Sequence, residues 1–169
     1  MDTLAQIPLT LNLVNAGCVA GSNGAWTNSV ATVCSIAGKF ATVLATNSDQ
    51  AETPTLDSNT GVAFPPILPN TCACVVFGVN AAGSPTVLAV QGTALPTEVG
   101  VTSTVGAFIN APQFPAIPND FCPIAYTVVR CAPSLIAGFI LGSTYWAASG
   151  ASCTTFQNIC TLPARPQIS

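Results

Sequence analysis

Ile124-Ala125-Tyr126-Thr127-Val128-Val129-Arg130-Cys131 is the stretch that decides the fold class. It is rich in β-branched and aromatic residues and follows a punctuating proline, Pro123, so it reads as a strand. Cys72-Ala73-Cys74-Val75-Val76-Phe77-Gly78-Val79 is its counterpart, apolar at odd and even positions alike, which is the pattern of a strand covered on both faces. Thr86 to Gly92 then reads as the returning arm of a hairpin, across the turn chemistry of Asn80-Ala81-Ala82-Gly83-Ser84.

Ser29 to Leu44 has the Val, Thr, Ile and Phe content of another hairpin, with Ala37-Gly38 at its turn. Segment 7–14 reads as an irregular strand, and 17–24 as a loop. Short strands are expected at 135–141 and 152–160, and one more strand or an irregular crossing around Val99, Val101 and Val105. Nowhere do apolar residues recur at helical spacing for long, and 14 Pro with 13 Gly oppose long helices. The expectation is a single all-β domain over 1–169, an antiparallel sandwich or jelly-roll-like arrangement with Pro- and Gly-rich loops, whose residues 1–27 form an N-terminal arm that contacts an assembly.

Half of the 169 residues are apolar and only 5% are charged, against about 25% in an ordinary soluble domain. A folded monomer of this size exposes roughly 7,800 Å², which leaves the few charges thinly spread. Ser, Thr, Asn and Gly are expected to solvate part of that surface, and contact with other subunits to cover the rest. With Lys39, Arg130 and Arg165 as the only cations and a net charge of −3, the chain lacks the electrostatic term that drives nucleic-acid binding. No membrane span is expected, since the longest apolar run, Leu135 to Leu141, falls short of the ~20 residues a helix needs. The opening Met-Asp-Thr-Leu-Ala-Gln-Ile-Pro has no basic region of the secretory kind, so export by that route is not expected.

The eight cysteines, Cys18, Cys34, Cys72, Cys74, Cys122, Cys131, Cys153 and Cys160, are expected to form disulfides, with buried free thiols as the alternative. Proximity in sequence suggests Cys18 with Cys34 and Cys153 with Cys160. Cys72 and Cys74, on one face of a strand, should seek different partners. Metal binding is disfavoured: there is no C-x-x-C and no histidine. No cofactor is expected.

The missing histidine also removes the commonest general base. Asp49, Glu52 and Asp57 lack the order of a calcium loop and read as a solvated loop. Glu98 and Asp120 are the remaining carboxylates for a glycosidase-type pair, and either is expected to pair with Arg130. No catalytic residue is assigned. Tyr145-Trp146, beside Gly142-Ser143-Thr144, is the local candidate for an exposed aromatic contact, and Trp26 is a further candidate for a sugar platform.

Three stretches together resemble the small virion structural proteins of tailed phages, the capsid decoration or cement proteins. The first is Ser29-Val30-Ala31-Thr32-Val33-Cys34-Ser35-Ile36-Ala37-Gly38-Lys39-Phe40. The second is Val76-Phe77-Gly78-Val79-Asn80-Ala81-Ala82-Gly83 with Thr86-Val87-Leu88. The third runs from Phe114-Pro115-Ala116-Ile117-Pro118 through Cys122-Pro123-Ile124-Ala125-Tyr126-Thr127-Val128-Val129 and Gly142-Ser143-Thr144 to Leu162-Pro163-Ala164-Arg165-Pro166. The order and spacing are similar over residues 28–166, while the cysteine content departs from the family. The resemblance implies a homotrimer on the outer surface of a virion, bound to the major capsid protein lattice and without catalysis. Release by host lysis would carry such a protein out of a reducing cytosol without a signal peptide. The second reading is a carbohydrate- or receptor-binding β module on a virion surface, with host-surface carbohydrate as its partner.

Overall fold

The computed structural model describes residues 10–21, 26–28, 31–36, 38–43, 55–80, 87–163 and 166. It is all-β and antiparallel, built around two long strands, β6 (Thr71–Asn80) and β9 (Phe121–Cys131), paired along their length from Cys72↔Arg130 to Asn80↔Phe121. Both are the strands that the sequence marks most clearly. On the far side of β6 lie β7 (Val87–Gln91) and β8 (Leu95–Pro96), and on the far side of β9 lie β10 (Ala151–Cys153) and β11 (Gln157–Asn158). The result is a six-stranded sheet four strands wide.

A second, three-stranded sheet has the order β1 (Leu11–Asn12), β4 (Thr32–Ile36), β5 (Lys39–Val43). The β4–β5 hairpin closes beside Gly38, Ala37 lying outside the described residues: Ile36 pairs with Lys39, and Gly38 has φ +81°, which glycine adopts without cost. A two-stranded ribbon, β2 (Cys18–Ala20) with β3 (Trp26–Asn28), completes the architecture.

The alternation of β6 explains why it is apolar throughout. Ala73, Val75, Phe77 and Val79 enter the larger core, which also takes Cys34 and Ile36 of the small sheet. Cys72, Cys74 and Val76 point the other way, into a second core closed by Leu95, Phe108, Phe114 and Ile117 rather than by a sheet. The prolines of 112–118 therefore hold an extended cover over the sheet's second face.

Pro123 sits in the centre of a sheet, where a missing N–H would break the ladder. The register shift between Phe77 and Gly78 resolves this: Phe77 pairs with Ala125 and Gly78 with Pro123, leaving Ile124 as the extra residue of a bulge. The amide of Ile159 donates to the carbonyl that the bulge turns outward on Ile124, at 3.0 Å.

One expectation needs correction, and one resolves to its irregular alternative. Residues 135–141 form turns with one isolated bridge, Ile67↔Phe139, because Gly138 takes φ +75° and lies against the Ile67 carbonyl. The stretch around Val99, Val101 and Val105 is a narrow excursion, bridged at Thr97↔Phe108 and closed by mutual Val101 and Thr104 hydrogen bonds. The described part of 1–27 is built into the fold. Asn12 donates through Nδ2 to the Ile159 carbonyl at 3.0 Å and through its backbone to Cys160. Residues 81–86 lie outside the described residues, as do Asp49, Glu52 and Arg165. Among the described residues no helix is long and apolar enough to cross a membrane.

Candidate functional site

Trp146 is not the exposed contact that its neighbours in sequence suggest. Only 7% of it is accessible, because its ring packs on Phe139 at 5.0 Å, Phe156 at 5.4 Å and Phe77 at 6.3 Å between centroids, and Phe77 stacks on Phe156 at 5.3 Å. Tyr145 does point to solvent, with 57% of its surface exposed. The side chain of Trp26 lies outside the described residues, its backbone pairing with Ala20.

The Trp146 cluster nevertheless reaches the surface along one side. There it forms the floor of an open groove of about 400 Å³, with Val19, Ala20, Gly21, Cys153 and Thr154 around Trp146 and Phe156. The β2 strand supplies one wall. It is held in place by Asn158, whose amide imitates a strand partner: Oδ1 accepts the Cys18 N–H at 2.6 Å and Nδ2 donates to the Cys18 carbonyl at 3.0 Å. Thr154 forms the other wall, and its hydroxyl accepts the Val128 N–H at 2.9 Å. The groove is an aromatic floor with few polar groups, the combination that suits an apolar or stacking ligand.

A second hollow of about 280 Å³ lies at the other side of the sheet, lined by Asp57, Asn80, Leu88, Pro118, Asp120 and Phe121. Asp57 is buried, which corrects its reading as a solvated loop residue. Its Oδ1 accepts the backbone N–H groups of Asn59 and Thr60 at 2.8 and 3.2 Å, and its Oδ2 accepts that of Gln91 at 2.8 Å. Asp57 is thus a loop fastener, and its lone pairs are spent on the fold. Among the described residues no group of three or more Cys, Asp or Glu converges as a metal site would require.

Glu98 and Asp120 do not face each other. Asp120 precedes Phe121, opposite Asn80, while Glu98 follows Thr97, whose amide bonds the Asn70 carbonyl at the other end of β6. A strand of that length separates its ends by about 30 Å, so they cannot act as a catalytic pair. Nor does either pair with Arg130. That guanidinium lies over the Phe108 ring, 4.6 Å from its centroid, and Nη1 donates to the Gly106 carbonyl at 3.1 Å. An aromatic face and a carbonyl take the place of the expected carboxylate.

The eight cysteines are free thiols, so neither pair suggested by sequence proximity is a disulfide. Cys18 is engaged with Asn158, Cys153 lies half-buried on β10, and Cys160 is exposed. Cys34 lies instead against Cys122. Burial pushes the Cys18 thiol up to about 12 and the Cys153 thiol up to about 12, and it raises Cys72, Cys74 and Cys131 as well. Cys34 goes the other way through its side-chain interaction with Cys122, and the same interaction raises Cys122.

Sequence reasoning did not single out the outward display of aliphatic side chains on the 97–108 excursion and the 133–137 turn. Val99, Val101 and Ile136 are 78, 75 and 84% exposed. The two segments are tied together by the Ser134 amide, which donates to the Thr102 carbonyl at 2.9 Å. Thr102 holds φ +52°, a region that β-branched residues avoid. No family model matches the chain, and neither the curated proteins nor the solved structures contain a match to it.

Proposed function

We propose that the chain is a non-enzymatic structural protein of the capsid-decoration kind, which binds the major capsid protein lattice on the outside of a phage virion, as a homotrimer, and stabilises the shell. The observation that carries this reading is the display of Val99, Val101 and Ile136 on a pair of hydrogen-bonded segments in a chain with almost no charge. Apolar side chains held out in this way gain free energy when a partner covers them, and few ions are stranded in the process. The dispersal of the described carboxylates, with Asp57 spent on backbone amides, supports a role without catalysis.

The test is co-sedimentation with undecorated shells of the phage whose genome encodes the chain. The wild-type protein is expected to pellet with the shells and to raise their disruption temperature, and the Val99→Asp/Val101→Asp/Ile136→Asp variant to remain in solution while folded. Absence of wild-type protein from the pellet overturns the proposal.

The groove over Trp146 favours a second reading, a carbohydrate-binding module on the virion surface. A ligand seated there would contact an aromatic floor and the threonine wall, and a glycan array followed by titration of tryptophan fluorescence tests it. Saturable binding abolished by Val19→Asp at the groove wall supports this reading, and a blank array removes it.

A further inference from the structure

Strand β2 has one edge that is only half used. The Cys18 N–H and carbonyl both go to the Asn158 side chain, at 2.6 and 3.0 Å, and so point away from β3. Backbone groups of an antiparallel strand alternate between its two sides, so Val19 exchanges hydrogen bonds with Thr27, and the N–H and carbonyl of Ala20 turn to the Asn158 side again. Among the described residues no backbone group outside the β2–β3 ladder takes them up. Asn158 thus fills the first position along that edge and leaves the next one open.

The open position borders the groove over Trp146. From Cys18, β2 leads into one wall of the groove at Val19, Ala20 and Gly21, and the 153–156 segment forms the opposite wall. That opposite wall turns its polar groups inward. Thr154 donates its N–H to the Val128 carbonyl at 2.9 Å, its carbonyl accepts the Thr127 hydroxyl at 2.8 Å, and its own hydroxyl accepts the Val128 N–H at 2.9 Å. Trp146 and Phe156 are 7 and 8% exposed, so the floor offers the rims of two rings rather than an open face. No acidic or basic side chain is among the described residues that line the groove.

We propose that this groove takes an extended, uncharged peptide segment of a partner protein, added to the open edge of β2 as one further strand. An extended chain supplies what that edge lacks, a carbonyl for the Ala20 N–H and an N–H for the Ala20 carbonyl. Its side chains alternate, so every second one drops onto Trp146 and Phe156 while those between face solvent, which selects apolar residues at alternate positions. Charge complementarity sets the rest: an ionised side chain over this floor would be buried without a counter-ion, so the segment in contact is uncharged. A sugar is the poorer match. It would stack on an open aromatic face and bond to several polar side chains, and the covered Trp146 and inward-turned Thr154 withhold both. The residues involved are other than Val99, Val101 and Ile136, so peptide capture and capsid binding stand or fall separately.

The experiment probes an array of short, end-blocked peptides of varied sequence with the labelled full chain, and titrates the binders in solution by tryptophan fluorescence. The expected binders are uncharged, carry apolar residues at alternate positions, and slow amide exchange at Ala20. An N-methyl scan of a binder is expected to weaken it about tenfold or more at every second residue and little at those between, because only alternate N–H groups face β2. Ala20→Pro, which removes the outward N–H and leaves the β2–β3 ladder intact, should have a similar effect, and Ala20→Ser, which keeps the N–H, should have little. Should the proline variant not fold, the N-methyl scan on the wild-type chain decides alone. A blank array, binders indifferent to N-methylation at every position, or binding confined to a glycan array would each overturn the proposal.

Discussion

The ring of Phe121 lies directly on Gly78, so that a Cβ at position 78 would run into its Cε1 and Cζ atoms and into the Cys122 carbonyl. This contact sits beside the bulge where β6 and β9 change register, and it lets the buried Phe121 fold back over β6. Gly78→Ala is expected to cost about 1–3 kcal/mol, the range for forcing an extra carbon into a packed interior. Urea unfolding measures it. Combining the change with Phe121→Leu, which clears the ring, should cost less than the sum of the two single variants; strict additivity would show that the contact does not limit packing.

Asp57 offers a test of a different kind, because its carboxylate holds three backbone amides from two segments. Asp57→Asn keeps the shape but replaces one acceptor by a donor that faces an N–H. The expected loss is about 1–3 kcal/mol in the urea midpoint. Faster amide exchange at Gln91 should accompany it, since that amide loses its partner. An unchanged midpoint would mean that water replaces the carboxylate freely.

The strain at Thr102 should be removable. Its left-handed conformation costs a β-branched residue about 1–2 kcal/mol, and asparagine tolerates that region better. Thr102→Asn is therefore expected to stabilise the protein by about 0.5–1 kcal/mol, raising the thermal midpoint by roughly 1–4 °C. A lowered midpoint would show that the threonine side chain contributes more in its place than the strain removes.

How far the sequence carried these conclusions depends on the kind of interaction. β6 and β9 were legible because burial on both faces leaves an uninterrupted apolar run, and the β4–β5 turn because only a few residue pairs suit it. The turns at 135–141 were not, since Phe139 is placed there by Gly138 closing on Ile67, a contact between distant segments. Trp146 and Arg130 misled for one shared reason. Their partners, Phe139 and Phe156 in one case and Phe108 and Gly106 in the other, are set by packing that local sequence does not encode. Cysteine pairing failed on the same ground: nearness along the chain says little when Cys34 meets Cys122 across two sheets.

The buried thiols also set the alkaline limit of stability. In the folded chain Cys18 is 1% exposed and resists ionisation until about pH 12, whereas an unfolded cysteine ionises near pH 8.5. Between these values the unfolded state releases a proton that the folded state keeps, so stability falls as pH rises. The contribution of Cys18 is intact below about pH 8.5 and declines by about 1.4 kcal/mol per pH unit above it. Cys153, also pushed up to about 12, adds in the same direction, and the raised thiols Cys72, Cys74 and Cys131 steepen the fall. Urea midpoints taken under reductant from pH 8 to 10.5 should therefore drop steadily, and Cys18→Ala should flatten the slope by close to one proton. A slope unchanged by that substitution would mean that Cys18 ionises alike in both states, against its burial between Asn158 and the core.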